Sequence, residues 1–225
     1  MSSTATATPV SRRVSRDLAT IELEFRAHRT AMHSDPWVKR RSEALGRAAA
    51  RIDEAVPGTG AAAHLHGLSE AVLENRDGVI TYSPGEAVVH VDAPLGTVVM
   101  MISPDCTSGE AAANLGAALA VGNRVAVGLF DEPDRPTTEV LSALLGEFGD
   151  DDLWLLDAPA SWSHIGSDRD LAVVVPGHVT VGETRPRRYP SEARSAESRR
   201  LLLDLYTRPI TIVVPIRLAG ATAPL

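Results

Sequence analysis

Between residues 96 and 103 the chain carries a nearly continuous apolar run, Val98-Val99-Met100-Met101-Ile102, the pattern of a parallel strand buried on both faces. From Glu110 the period changes, and Ala111, Leu115, Ala118, Leu119 and Gly122 fall on one helical stripe. Gly122-Asn123 stops that helix in the manner of a left-handed cap. Residues 124–129 then form a second short apolar strand. Strand, loop, helix, strand is one βαβ unit with a right-handed crossover. Ligands of such sheets bind beyond the carboxyl ends of the strands, which points to the loop at 103–109.

The same patterning extends to either side. Residues 17–32 are spaced as a helix. Ser34-Asp35-Pro36 reads as a cap followed by proline in the first turn. The helix it opens places Trp37, Ala44, Leu45, Ala48, Ile52 and Ala55 on its buried face, with Lys39, Arg40, Arg41 and Arg51 mostly elsewhere, and Pro57-Gly58 ends it. Leu65, Leu68 and Val72 make a third stripe. Residues 79–91 alternate as a hairpin around Ser83-Pro84-Gly85. Pro136 opens a helix with Val140, Leu141, Leu144, Leu145 and Phe148 inward, and Gly149 closes it. Residues 153–156 and 171–175 are third and fourth strands, with a short helix or loop over 161–167. This alternation predicts an α/β fold with an open parallel sheet. Residues 183–200 break the pattern and read as an exposed linker or a short charged helix. In the last strand Ile210, Ile212, Val214 and Ile216 alternate, and Pro215 marks it as an edge.

Composition narrows the classes of function. Hydrophobic residues at 44% and charged residues at 23% suit a soluble globular protein. A formal net charge of −7 argues against nucleic acid or an anionic membrane as partner. No apolar segment approaches the ~20 residues of a membrane-spanning helix. The single cysteine forms no internal disulfide and fits a reducing cytoplasm. Residues 1–16 are Ser/Thr-rich without a hydrophobic stretch and read as a frayed tail. His64 and His66, two apart on a helix, do not face one ligand and read as solvated, so no metal is expected.

Two stretches carry a family resemblance. Pro94-Leu95-Gly96-Thr97-Val98-Val99 through Pro104, followed by Ala118-Leu119-Ala120-Val121-Gly122-Asn123, resembles the cofactor-domain entry of the aldehyde dehydrogenase superfamily, P-x-G-V…P-W-N-F-P and then A-L-A-A-G-N-x-V-V-x-K-P. Tyr206-Thr207-Arg208-Pro209-Ile210-Thr211-Ile212-Val213-Val214 resembles the family's C-terminal Y-T-x-x-K-x-V-x-V strand, which pairs with a neighbouring subunit. The resemblance implies a Rossmann-like domain at 94–182 and an N-terminal helical arm at 17–78. It also implies an oligomerisation ribbon from 79–93 plus 203–218, with a linker at 183–202. Cofactor contacts would fall at Ser103, Pro104, Gly177 and Gly182, the last two as G-x-x-x-x-G.

The departures from the family carry as much as the match. The segment that would hold the general base, the nucleophilic cysteine and the aldehyde-binding lobe has no counterpart between 182 and 203. The asparagine of P-W-N-F-P aligns with Cys106, a weaker donor than an amide. The lysine of V-x-K-P falls on Gly128, and the serine near the pyrophosphate on His178. Three lost polar contacts, at ~1 kcal/mol or more each, leave no expectation of tight NAD binding. The expected function is that of a non-catalytic aldehyde dehydrogenase-like subunit for assembly or regulation, as a homo-oligomer or with a full-length aldehyde dehydrogenase. The alternatives are an NAD(P)-dependent oxidoreductase active only with a partner subunit, or a nucleotide-binding module. Cys106 as nucleophile with His178 as base is the remaining catalytic arrangement, with a buried inert thiol as its bland counterpart.

Overall fold

The computed structural model describes residues 16–17, 36–74, 79–83, 86–149, 151–156, 169–175, 178–180, 190 and 192–217. In chain order these form β1 (Arg16–Asp17), α1 (Pro36–Ala55), α2 (Ala61–Glu74), β2 (Val79–Ser83), β3 (Glu86–Pro94), β4 (Thr97–Ile102) and α3 (Ser108–Ala120). There follow β5 (Arg124–Leu129), α4 (Arg135–Phe148), β6 (Leu153–Leu155), β7 (Arg169–Val175), β8 (His178–Thr180), α5 (Ala196–Leu205) and β9 (Thr207–Arg217). Apart from Asp17, the helix expected over 17–32 lies outside the described residues, as does the helix or loop expected over 161–167. Asp17 itself is strand. The chain divides into two compact units, one of residues 1–33, 76–93 and 209–225, the other of 34–75 and 94–208.

The smaller unit is a four-stranded sheet in the order β1-β9-β3-β2. The hairpin around 84–85 is present, antiparallel from Val79↔His90 to Ser83↔Glu86. The His90 Nδ1 and Thr211 Oγ1 atoms lie 3.0 Å apart. Pro215 does not mark an edge: β9 has β3 on one side and, on the other, β1 in parallel at Arg16↔Ile216 and Asp17↔Arg217. Successive strand residues alternate the edge to which their amides point, and Pro209 and Pro215 fall on the same alternation. Their missing N–H groups therefore face the side away from β3, and an inner position next to β3 tolerates both prolines. The open edges of this sheet among the described residues are those of β2 and β1.

The larger unit is built on a five-stranded sheet, order β6-β5-β4-β7-β8. Strands β6, β5, β4 and β7 run parallel, with Met101 opposite Gly128 and Ile102 opposite Val175, and β8 turns back antiparallel on β7. Helices cover the face that carries Val98, Met100, Ile102, Val125 and Val127 in one continuous core. Val99, Met101 and Ala126 lie on the other face with Trp154 and Leu156 against them. Helix α3 is the centre of this core. Every residue from Ala111 to Ala120 is buried, so the expected single stripe understates it. Alanine and glycine make that possible by letting neighbours approach on all sides. A Cβ added at Gly116 would stand 2.5 Å from Leu65 Cδ2 and 3.0 Å from Leu68 Cδ1 on α2.

Two residues of α1 differ from their expected places: Ala55 is exposed, and Arg41 is buried. Arg41 donates to the Leu119 carbonyl and to Asp152 Oδ1, both at 2.7 Å. Its guanidinium carbon lies 5.8 Å from the centre of the Phe148 ring. The Trp37 side chain lies outside the described set. Helix α5 accounts for the end of the charged segment: Ser195 and Ser198 cap it reciprocally, and Leu202, Leu203 and Leu205 are buried.

Candidate functional site

The rim formed by the carboxyl ends of β4, β5 and β7 is where the topology directs ligand chemistry. After β4 the Ser103 amide donates to Val175 O at 3.0 Å, carrying the sheet ladder one residue further. A tight turn follows, with the Cys106 amide donating to Ser103 O at 3.0 Å and the Asp105 amide to Ser103 Oγ at 3.3 Å. Pro104 and Asp105 are exposed at its tip. Thr107 then caps α3 in a closed capping box. Its Oγ1 accepts from the Glu110 amide at 3.2 Å, and Glu110 Oε2 accepts from the Thr107 amide at 2.9 Å. Asp134 caps α4 by accepting from the Thr137 amide at 2.9 Å.

Cys106 is tucked beneath this turn at 8% exposure, its thiol 3.4 Å from Thr107 O. The N-terminus of α3 does not activate it. Burial pushes the thiol up to about 12, Glu110 and then Asp134 add to that, and a hydrogen bond from the Ala111 amide opposes it without prevailing. At neutral pH about one thiol in 100,000 is ionised, which is the inert reading of this cysteine. His178 opens β8, its backbone paired with Val174 next to the same rim. Its side chain lies outside the described residues, so no thiol–imidazole pair is assembled among them. Gly177 and Gly182 also lie outside. Of the expected cofactor contacts only Ser103 and Pro104 are on the rim as described.

The position expected for a cofactor-binding lysine has a definite structural reason to be glycine. A Cβ at Gly128 would stand 2.8 Å from Met101 Cε and 3.6 Å from Leu156 Cδ1. The Met101 side chain occupies that place and is itself buried. Around the rim, residues 103–110 and 130–135 bring five carboxylates, Asp105, Glu110, Asp131, Glu132 and Asp134, against one guanidinium, Arg135. The described residues thus do not fit a dinucleotide. The helix terminus is closed by its own carboxylate, and the glycine cradle is filled.

Sequence patterning did not reveal three buried polar side chains. Asn123, fully buried, donates to Ala118 O at 3.2 Å and Tyr206 O at 2.8 Å, and its Oδ1 accepts from the Gly96 amide at 2.9 Å. Asn114 accepts from the Tyr206 hydroxyl at 2.9 Å. His64 is buried rather than solvated, at 5% exposure, and its Nδ1 accepts from the Ala193 amide at 3.2 Å. His66 is exposed. Among the described residues no group of three or more His, Cys, Asp or Glu is placed to hold a metal ion, and no helix is long and apolar enough to cross a membrane.

No protein-family model matches this sequence, and no curated protein matches it. Solved structures do match its fold. A NAD-dependent benzaldehyde dehydrogenase from Corynebacterium glutamicum aligns over 71% of this chain and 42% of its own, at 15% identity and a TM-score of 0.51. Betaine aldehyde dehydrogenase from Staphylococcus aureus, as a double mutant with NAD+ bound, aligns over 66% and 35%, at 16% identity and a TM-score of 0.52. PnpE in complex with NAD aligns over 70% and 38%, at 15% identity and a TM-score of 0.51. The chain thus spans well under half the length of each of these proteins. Over that span it has an α/β fold of the kind found in aldehyde dehydrogenases.

Proposed function

We propose that this chain is a non-catalytic protein of aldehyde dehydrogenase-like fold that acts by association, as an assembly or regulatory subunit. The observation that carries the reading is the state of Cys106. It is the one thiol of the chain, buried beneath the rim and held protonated by its surroundings, with Glu110 and Asp134 both acting against the thiolate. A dehydrogenase that oxidises aldehydes through a thiohemiacetal needs the opposite environment. The scaffold around it is intact, with helix caps closed and α3 fully packed, and that favours a retained role for the fold itself. The four-stranded sheet supplies the means of association, since β2 offers a short open edge for strand addition. The partner fits as a second copy of the chain or as a full-length aldehyde dehydrogenase, in the cytoplasm.

The test combines two measurements on the purified full chain. Light scattering is expected to give a mass above that of one chain, or a monomer that shifts to a defined complex when a full-length aldehyde dehydrogenase from the same host is added. NAD(P)-dependent oxidation of a panel of aliphatic and aromatic aldehydes is expected to stay at background. Turnover by the chain alone, or a monomer indifferent to every added dehydrogenase, would sink the reading.

A further inference from the structure

We infer that the rim of the parallel sheet is closed to pyrophosphate-bridged dinucleotides, and that Glu110 and Met101 are the side chains that close it. The inference deepens the non-catalytic reading, from which it is separable by experiment. A dinucleotide held at such a rim needs free amides at a helix N-terminus for its pyrophosphate. It also needs a close approach of ligand to backbone where a side chain is missing.

The first requirement fails at α3. The amides of Ser103, Asp105, Cys106, Thr107, Glu110 and Ala111 are engaged by Val175 O, Ser103 Oγ, Ser103 O, Glu110 Oε2, Thr107 Oγ1 and Thr107 O. Glu110 does more than use up donors. Its carboxylate sits where the helix dipole would attract a phosphate, so an incoming anion meets a like charge at the most favourable anion position of the loop. Asp105, Asp131, Glu132 and Asp134 surround it with charge of the same sign.

The second requirement fails at β5. Gly128 is the one residue near the carboxyl end of that strand without a side chain, and it lies opposite Met101 in register. Met101 folds its thioether over the glycine, with Cε 2.8 Å from where a Cβ would be, and Leu156 closes the far side at 3.6 Å. The glycine serves the methionine, and no space remains above it for a ribose or a base.

Calorimetry on the full chain with NAD+, NADP+ and ADP-ribose tests the inference. The wild-type protein is expected to show no saturable heat, and a dissociation constant tighter than about 1 mM for any of the three overturns it. The assignment to two residues is tested in Glu110→Gln/Met101→Ala, where glutamine keeps the capping box. This variant, checked for a native circular-dichroism spectrum, is expected to gain a thermal shift with ADP-ribose that the wild type lacks, and a folded variant that stays indifferent refutes the assignment. If the alanine variant does not fold, Glu110→Gln alone reads the electrostatic half. Inorganic pyrophosphate is expected to stabilise it and not the wild type, and equal indifference of both overturns the role of Glu110. Binding without turnover by the wild type would refute this inference while leaving the non-catalytic reading standing. Turnover would refute both.

Discussion

The hydroxyl of Tyr206 donates to Asn114 Oδ1 at 2.9 Å across the buried core, and the carbonyl of the same tyrosine accepts from Asn123 at 2.8 Å. One residue after α5 thereby fastens to the middle of α3 and to the turn before β5. Asn123 continues the chain of bonds to Gly96, at the entry of β4. These are the joints between the elements of the βαβ unit and the last helix. Their polar groups are nearly all satisfied within the core, so removing any one leaves its partner without water to replace it.

Tyr206→Phe keeps the ring and removes the bond, leaving the 5%-exposed Asn114 amide oxygen unpaired. The expected loss is about 1–3 kcal/mol in urea unfolding with an unchanged slope. Burial also pushes the phenol well above its ordinary value of 10.0. The folded state then binds that proton more tightly than the unfolded chain, so stability is full below pH 10 and falls as pH rises past it. The phenylalanine variant is expected to lose that part of the alkaline decline. A variant as stable as the wild type, with the same alkaline limb, would show that the bond contributes nothing.

Cys106 supplies a chemical prediction. With the thiol pushed up to about 12 and buried, alkylation by iodoacetamide at pH 8 is expected to run at least ~100-fold slower in the folded chain than in urea. The raised value also means that the thiol stabilises the fold below its ordinary value of 9.0, and that this contribution is lost between 9.0 and about 12. Fast, stoichiometric labelling of the native protein at neutral pH would contradict both the burial and the inert role.

How much of this was legible in the sequence depends on the kind of residue. Apolar runs report which face is buried, and β4, β5, α4 and the hairpin of β2 and β3 follow from them directly. Burial on all sides is less visible. Helix α3 has alanine and glycine nearly everywhere outside its leucines, and small residues give a weak periodic signal although every position is enclosed. Buried polar groups are the least visible, because their burial depends on partners far along the chain. Arg41 pairs with Asp152, His64 with the Ala193 amide, and Asn123 with the Tyr206 carbonyl. Asn123 lies in the stretch that carries the family resemblance, which marked the position without giving its reason. At the rim, the turn and the cap were placed correctly, but whether a helix terminus activates or idles a thiol is decided by nearby carboxylates and solvent exclusion. A linear pattern does not encode those.

His64 gives the acid side of the pH dependence. Burial lowers its pKa from 6.5, Arg194 adds to that, and Glu192 opposes it. The Nδ1 atom must keep a lone pair to accept from the Ala193 amide. Because the folded state disfavours the protonated ring, the unfolded chain binds the extra proton. The contribution of His64 is therefore full above pH 6.5 and is lost as pH falls below it. His64→Gln removes the titration, and its urea midpoint is expected to be flatter than the wild type's between about pH 7 and pH 5. Parallel curves for the two proteins over that range would exclude His64 as the source of acid sensitivity.

Two glycines in helices separate packing from propensity. Gly46, in α1, has nothing within 4 Å of where a Cβ would stand, whereas at Gly116, in α3, that atom would meet Leu65 and Leu68. Alanine improves helix propensity by about 1 kcal/mol at either site. At position 46 that gain stands alone, and Gly46→Ala is expected to stabilise by about that amount. At position 116 two leucines of a filled core must move, at a cost of about 1–3 kcal/mol that offsets or exceeds the gain. Gly116→Ala is therefore expected to be neutral to destabilising by up to about 2 kcal/mol, the opposite sign from its counterpart. Equal stabilisation by both would mean that α2 and α3 do not approach as closely as the leucine contacts require, and the description of α3 as enclosed on every side would have to be abandoned.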